Sequence, residues 1–299
     1  MISADAVARY REDGYLVLER LLPAERLAAL RRKIDAISEQ ARGLTESNDV
    51  FELEESHRTD APKVQRVRLP HTLDPFFWEL IRSPEIVEAA TSLLGPSVRL
   101  RSSKLNMKTS GGAAVEWHQD WAFYPHTNDD VLAVGVMVDD MTAENGPLMV
   151  LPGTHKGPLY DHHHDGFFTG GIDPDRDGID FSAAVPLLAP AGSVSLHHAR
   201  LIHGSDVNRS GQSRRLLLYE LCAADAWPLA GPFSGYGDWE SFNAQLIAGE
   251  PCDRPRLADV PVRLPLPAAT DFPSIFQLQR QGAQKHYFAP AAETESLRP

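Results

Sequence analysis

Hydrophobic positions along the chain change character near Gly95. Before it they recur at helical spacing; after it they fall in short β-rich runs punctuated by Gly, Pro, Asn and Asp. Residues 3–12 read as a short helix with Ser3 as N-cap, since a serine oxygen there accepts from a free N–H of the first turn. "DGYLVLERLL" (13–22) reads as a turn followed by a short strand. In "PAERLAALRRKIDAISEQAR" (23–42), Pro23 stands at a start position, and Leu27, Leu30, Ile34 and Ile37 share one face. That spacing predicts an amphipathic helix. A third helix is predicted over "DPFFWELIRSPEIVEAATSLLG", broken near Ser83-Pro84, where proline interrupts the ladder, and ended by Gly95.

"SVRLRSSKLNMKTS", "VLAVGVMVDDM", "LMVLPGTH", "GSVSLHHARLIHGS" and "RRLLLYELCAAD" then read as short strands separated by turns. Such a series predicts a sandwich or barrel rather than a parallel α/β sheet. Residues 226–267 are rich in Pro, Gly and aromatics and read as a lid or a partner surface; the tail "PAAETESLRP" reads as a loose terminus. The expected organisation is a single domain over 1–299. It comprises a mostly helical part (1–95), a β core (96–225), an insert (226–270) and a C-terminal segment (271–299).

Composition narrows the class. With 42% hydrophobic and 23% charged residues, the chain has the balance of a folded globular protein. A net charge of −12 argues against a general binder of phosphate backbones, yet leaves room for a small anion held by a few buried arginines. Two cysteines, Cys222 and Cys252, cannot build a zinc cluster and make a disulfide scaffold a poor reading. The N-terminus lacks the apolar stretch of a signal peptide, and no run approaches the ~18 apolar residues of a membrane span. The expectation is a cytoplasmic monomer or homodimer acting on a small molecule, with no nucleic-acid or membrane partner.

The stretch "EWHQDWAFYPH" (116–126) carries the first chemistry. Residues i and i+2 of an extended segment share a face, so His118 and Asp120 present a nitrogen and a carboxylate oxygen to one point while Gln119 faces away. A catalytic metal needs a third ligand. The candidates are His126, His155, His162, His163, His164, His197, His198 and His203. His203 stands out because it ends the apolar strand "SVSLHHARLIH", 83 residues beyond Asp120, just before Gly204-Ser205 turn the chain. Two histidines and a carboxylate on one face leave three metal positions open, as in non-haem iron(II) oxygenases. Spacing alone also allows two unrelated sheet-end histidines.

Arg214 follows His203 by eleven residues and opens the strand "RRLLLYEL". A guanidinium directed into a barrel needs an anion, and its fork matches a carboxylate. A dicarboxylate that chelates the metal through a 2-oxo acid end and reaches Arg214 with its other end satisfies both groups. The competing reading is a surface ion pair of Arg214 or Arg215 with Asp139, Asp140 or Glu144.

Taken in order, "WHQD", "ENGPLMVLPGTH" and "HHARLIHGSDVNRSGQSRR" resemble the phytanoyl-CoA dioxygenase family of iron(II)/2-oxoglutarate oxygenases. The family pattern is HxD, a turn NGxLxxxPGSH, then HxxxxHGSxxNxS with an Arg eleven residues after the last His; here Thr154 replaces the usual Ser. The match spans roughly residues 95–225 together with the opening "DGYLVLERLL".

The resemblance implies a mainly β fold, a double-stranded β-helix (a cupin-like jelly roll) with N-terminal helices packed on it. It implies iron(II) held by His118, Asp120 and His203 as the catalytic residues, and 2-oxoglutarate held by Arg214, Ser205 and Asn106. The implied activity is hydroxylation of an unactivated C–H bond of a small molecule, with 2-oxoglutarate and O2 converted to succinate and CO2. Asp120 favours hydroxylation, since related halogenases replace this carboxylate to admit chloride. Gln119, Trp121 and Phe123 are expected in the substrate pocket, and Gly135, where several relatives place a Trp, is expected to open room there. His198 resembles a structural histidine. The run "YDHHHDGFF" (160–168) reads as a polar loop at the pocket mouth rather than a second metal site. Lys104, Arg66 and Arg68 read either as solvated strand flanks or as contacts to an acidic substrate. A reading of another class remains beside this one: a metal-binding jelly roll without oxygenase activity, an isomerase or a sensor. The substrate itself is not written in the sequence.

Overall fold

The computed structural model describes residues 2–230, 238–268, 274–281 and 287–288. The first part of the chain contains α1 (Ala4–Asp13), β1 (Tyr15–Leu18), α2 (Ala24–Glu39), β2 (Phe51–Leu53), β3 (Val64–Arg68), α3 (Pro70–Leu73), α4 (Pro75–Ile81) and α5 (Pro84–Leu94). The β-rich part follows with β4 (Val98–Lys108), β5 (Val115–His118), β6 (Val131–Met137), β7 (Leu148–Val150), β8 (His163–His164) and β9 (Phe167–Phe168). Next come α6 (Pro174–Asp177), β10 (Val185–Pro186), β11 (Val194–His198), β12 (His203–Ser205) and β13 (Arg214–Ala223). The remaining elements are α7 (Trp239–Asn243), β14 (Leu246–Ala248) and α8 (Ile275–Gln281).

The predicted helices form for the expected reasons. Ser3 accepts from the Ala6 N–H at 3.1 Å, and Gly14 ends α1 in the left-handed region (φ 83), where its N–H caps Tyr10. A side chain is excluded at Gly14 on a second ground: a Cβ would lie 2.5 Å from His155 Nδ1. α2 buries Leu30, Ile34 and Ile37, and the Ser83-Pro84 break separates α4 from α5.

Two antiparallel sheets make the jelly roll. The larger runs β1-β11-β6-β13-β4-β3-β2, with β14 beside β4; the smaller runs β10-β7-β12-β5. Alternation along β13 shows how the layers stack. Leu217, Tyr219 and Leu221 point to the core shared with the N-terminal helices, while Leu216 and Leu218 point between the sheets. The Tyr219 hydroxyl donates to the Phe77 carbonyl at 2.7 Å, tying β13 to α4. β6 is buried along its whole length because it is covered on both faces, which is why "VLAVGVM" shows no polar alternation.

Residues 1–95 supply three strands as well as helices. β1 pairs with β11, and β3 lies between β2 and β4, so this part is woven into the large sheet rather than packed beside it. The 226–267 stretch carries β14 and α7 within its loops. The loose tail expected at 290–299 lies outside the described residues.

Candidate metal and cosubstrate site

β5 and β12 are neighbours in the smaller sheet, with His203 in register opposite His118. β5 ends at His118; Gln119 stays extended (φ −117, ψ 123), and a 3₁₀ turn begins at Asp120. The single extended residue puts His118 and Asp120 on the same side. Donor atoms of His118, Asp120 and His203 lie within 4.8 Å of one another, and all three residues are buried. The Nε2 atoms of His118 and His203 stand 3.7 and 3.8 Å from Asp120 Oδ1.

The other ring nitrogens decide which tautomer is present. His118 Nδ1 donates to the Glu116 carbonyl at 2.8 Å, and His203 Nδ1 to the Leu201 carbonyl at 2.9 Å. A carbonyl only accepts, so in each neutral ring the proton sits on Nδ1 and Nε2 offers its lone pair to the centre. Burial, and then the nearby His118, push His203 well below the usual imidazole range and keep it neutral. Burial alone would raise the Asp120 carboxyl. Lys104 leads the groups that outweigh this and hold it well below the usual carboxylate range. Two imidazoles and one carboxylate converging on a point are a donor set that fits iron(II).

This group lines a cavity of about 50 Å³ between the sheets, roofed by Ile275 and Phe276 of α8. Arg214, Ser205 and Asn106 line it as well. Arg214 is buried; one terminal nitrogen donates to the Gly146 carbonyl, while Nε has no hydrogen-bond partner among the described residues. Burial brings its guanidinium down to about 10. The expected competitor for Asp139 is the neighbour, since Arg215 donates to both oxygens of that carboxylate, at 2.9 and 2.8 Å. Lys108 pairs in register with Arg214, and its Nζ donates to Ser205 Oγ at 2.8 Å. Burial and the adjacent Arg214 push the Lys108 ammonium well down. Among the described residues neither cation has a carboxylate in ion-pair range. An orphaned guanidinium nitrogen beside a buried ammonium fits the remote carboxylate of 2-oxoglutarate.

Other expectations resolve differently. Gln119, Trp121, Phe123 and Gly135 are not among the residues lining the cavity. Gln119 donates to the Pro158 and Arg200 carbonyls and so braces two loops. Trp121 is fully buried in the helix-side core, with Nε1 on the Pro261 carbonyl. Phe123 meets the His118 ring edge-on, 5.8 Å between centroids. Gly135 opens no room, because Leu216 and Leu218 fill the space above it and a Cβ would lie 2.6 Å from Ser195 Oγ. His162 and His163 are buried rather than loop-exposed, and they bond separately: His162 Nε2 accepts from the Gln119 N–H, and His163 reaches the Leu266 carbonyl.

Two polar lining residues escaped the sequence reading. Lys108 is two positions beyond Asn106 on β4, so strand alternation alone would have placed it on the same face. His197 stood only among eight candidate ligands; its Nε2 lies 3.7 Å from Asp120 Oδ2, the oxygen turned away from the other two histidines.

The family model of phytanoyl-CoA dioxygenase (PhyH) matches residues 10–216. The chain belongs to the phytanoyl-CoA dioxygenase family. It is 38% identical to a probable alpha-ketoglutarate-dependent hypophosphite dioxygenase of Stutzerimonas stutzeri, over 95% of this chain and 99% of that one. It is 32% identical to an L-proline trans-4-hydroxylase of Streptomyces griseoviridis, over 77% and 91%. The structure of EctD from S. alaskensis with bound Fe superposes with a TM-score of 0.66 at 25% identity, covering 86% of this chain and 88% of that one. This phytanoyl-CoA dioxygenase family member is an iron(II)- and 2-oxoglutarate-dependent dioxygenase that converts 2-oxoglutarate and O2 to succinate and CO2. No helix among the described residues is long and apolar enough to cross a membrane.

Proposed function

We propose that His118, Asp120 and His203 hold the iron, that Arg214, Lys108 and Ser205 anchor 2-oxoglutarate, and that the enzyme hydroxylates a compact small molecule. The observation carrying the reading is the convergence of three buried donor atoms within 4.8 Å, on a cavity also lined by Arg214, which has no carboxylate partner among the described residues. Bound iron(II) supplies dioxygen activation: one oxygen atom enters succinate as 2-oxoglutarate loses CO2, and the other enters the substrate.

The chain's own residues supply orientation and dryness. The Glu116 and Leu201 carbonyls fix the two imidazoles with Nε2 inward. Arg214 and Lys108 fix the cosubstrate by its remote carboxylate, so its 2-oxo acid end is aimed at the triad. Asn106 Oδ1 accepts from Arg66 Nε at 2.9 Å and so orients that guanidinium at the cavity wall. Ile275 and Phe276 keep bulk water out.

The first reading is hydroxylation of a C–H bond. A second is favoured by the 38% relative, whose name gives hypophosphite as substrate; the bond oxidised would then be P–H. Both insert one oxygen atom into a bond to hydrogen.

The test is anaerobic addition of iron(II) and 2-oxoglutarate. Chelation of the keto acid gives a weak visible charge-transfer band, and admitting O2 with candidate substrates gives stoichiometric succinate. A metal-binding barrel without oxygenase activity gives neither.

A further inference from the structure

Two cations in the cavity are left over when iron and 2-oxoglutarate are accounted for. Among the described residues, Arg66 and Lys104 line it together with Lys108, Arg214 and one carboxylate, Asp120. Iron(II) and the 2-oxoglutarate dianion cancel one another, so filling the site does not remove the positive excess.

The register places these cations in two groups. On β4, Lys104, Asn106 and Lys108 alternate onto the same face. Lys108 pairs with Arg214 of β13, whereas Lys104 lies opposite Leu218, four residues back along the strand. Arg66 of β3 pairs with Asn106 on the other side of β4 from β13. The cosubstrate pair is thus at one end of this sheet face and Lys104 at the other, with Arg66 beside Asn106 at the midpoint.

Each of the second pair has charge to spare. Arg66 is buried, its guanidinium stacked 4.8 Å over the Phe276 ring, and its Nε bond to Asn106 is its one hydrogen bond among the described residues. It makes no ion pair there; Glu52, in register with it on β2, accepts from Ser274 through one carboxylate oxygen, and its other oxygen lacks a hydrogen-bond partner among the described residues. Stacking and a neutral acceptor orient a guanidinium without neutralising it. Lys104 Nζ is 3.0 Å from Glu220 Oε1 and 3.9 Å from Asp120 Oδ1. Glu220 is already paired with buried Arg101, and Asp120 faces the metal position. A buried guanidinium and an ammonium with shared counter-charges, beside the triad and away from Arg214, form an anion site.

We propose that Arg66 and Lys104 are the substrate-recognition pair, and that the substrate is a compact anion with its charged oxygens between them and its oxidised bond towards the triad. The inference rests on the iron/2-oxoglutarate reading above. Phe276 sets the size limit, because it lies under the Arg66 guanidinium and roofs the same cavity.

The experiment is calorimetric titration, with O2 excluded, of the holoenzyme loaded with iron(II) and 2-oxoglutarate. The probes are hypophosphite, phosphite and acetate, with glycerol as the neutral control. One of the anions binds saturably and glycerol does not. Arg66→Met and Lys104→Met each weaken that binding about 10- to 100-fold, as expected for one charged hydrogen bond, while the dissociation constant for 2-oxoglutarate stays within about threefold; Arg66→Lys restores part of the loss. Preference for hypophosphite over acetate marks a phosphorus oxyanion, and the reverse marks a carboxylate. Equal binding of glycerol, or no anion binding to wild type, overturns the proposal. So does loss of 2-oxoglutarate binding in Arg66→Met, which would assign Arg66 to the cosubstrate. Failure of the iron/2-oxoglutarate reading looks different: wild type then takes up no 2-oxoglutarate before any probe is added.

Discussion

His118 and His203 face each other across the β5–β12 ladder with ring centroids 4.1 Å apart, each locked by a hydrogen bond to a main-chain carbonyl. Asp120 closes the triangle. With Asp120→Ala, the proposed set is reduced to two imidazoles, and substrate-dependent succinate formation is expected to fall at least about 100-fold, beyond the 10–100-fold typical of residues around the ligands. Succinate release under saturating iron(II) measures it, and wild-type rates would remove Asp120 from the metal.

Arg214→Met is expected to act on the cosubstrate rather than on the metal. Losing a charged bidentate partner raises the 2-oxoglutarate KM roughly 10- to 150-fold, with iron affinity nearly unchanged. An unaltered dependence on 2-oxoglutarate would move the anchor elsewhere in the cavity.

Gly135→Ala probes packing instead of chemistry. Its new methyl would sit 2.6 Å from Ser195 Oγ and 3.3 Å from Leu216 Cδ1. Overpacking of this kind costs about 1–3 kcal/mol, read as a lower denaturant midpoint. Ser195→Gly in the same chain removes the closest clash and should recover most of the loss. A stable single mutant would mean the space above Gly135 is open after all.

Acid should destabilise the fold through buried histidines outside the triad. Burial holds His126, His162 and His198 at about 3, against 6.5 for a free imidazole. Between those values the unfolded chain carries more protons than the folded one. Stability is therefore full above about pH 6.5 and declines as pH falls towards 3, each ring contributing up to about 1.4 kcal/mol per pH unit. Urea midpoints near pH 7 and pH 5 test this; equal midpoints would show that these rings protonate in place.

The HxD stretch, His203 and Arg214 were legible because each sits at a strand end with a turn or an apolar run beside it. The helices over residues 4–39 and 75–94 were legible from caps and periodicity. β3 was not. Its "VQRVR" alternates charge in the manner of a solvated edge, yet Arg66 faces a cavity whose polarity only the assembled sheets create. His197 failed for a related reason: neighbouring histidines on one strand face opposite ways, and only the β11–β6 pairing shows which one looks inward. Gly135 misled by the opposite route, since the leucines of β13 fill the place of a missing side chain.

The pairing of β5 with β12 also dates the site within the folding sequence. The two strands are distant in the chain and reach register only when the smaller sheet closes, a long-range event formed late where loop closure dominates the barrier. Metal bound across that seam would grip the finished sheet and no earlier fragment. Iron should accordingly lengthen the lifetime of the native state while leaving the rate of reaching it almost untouched.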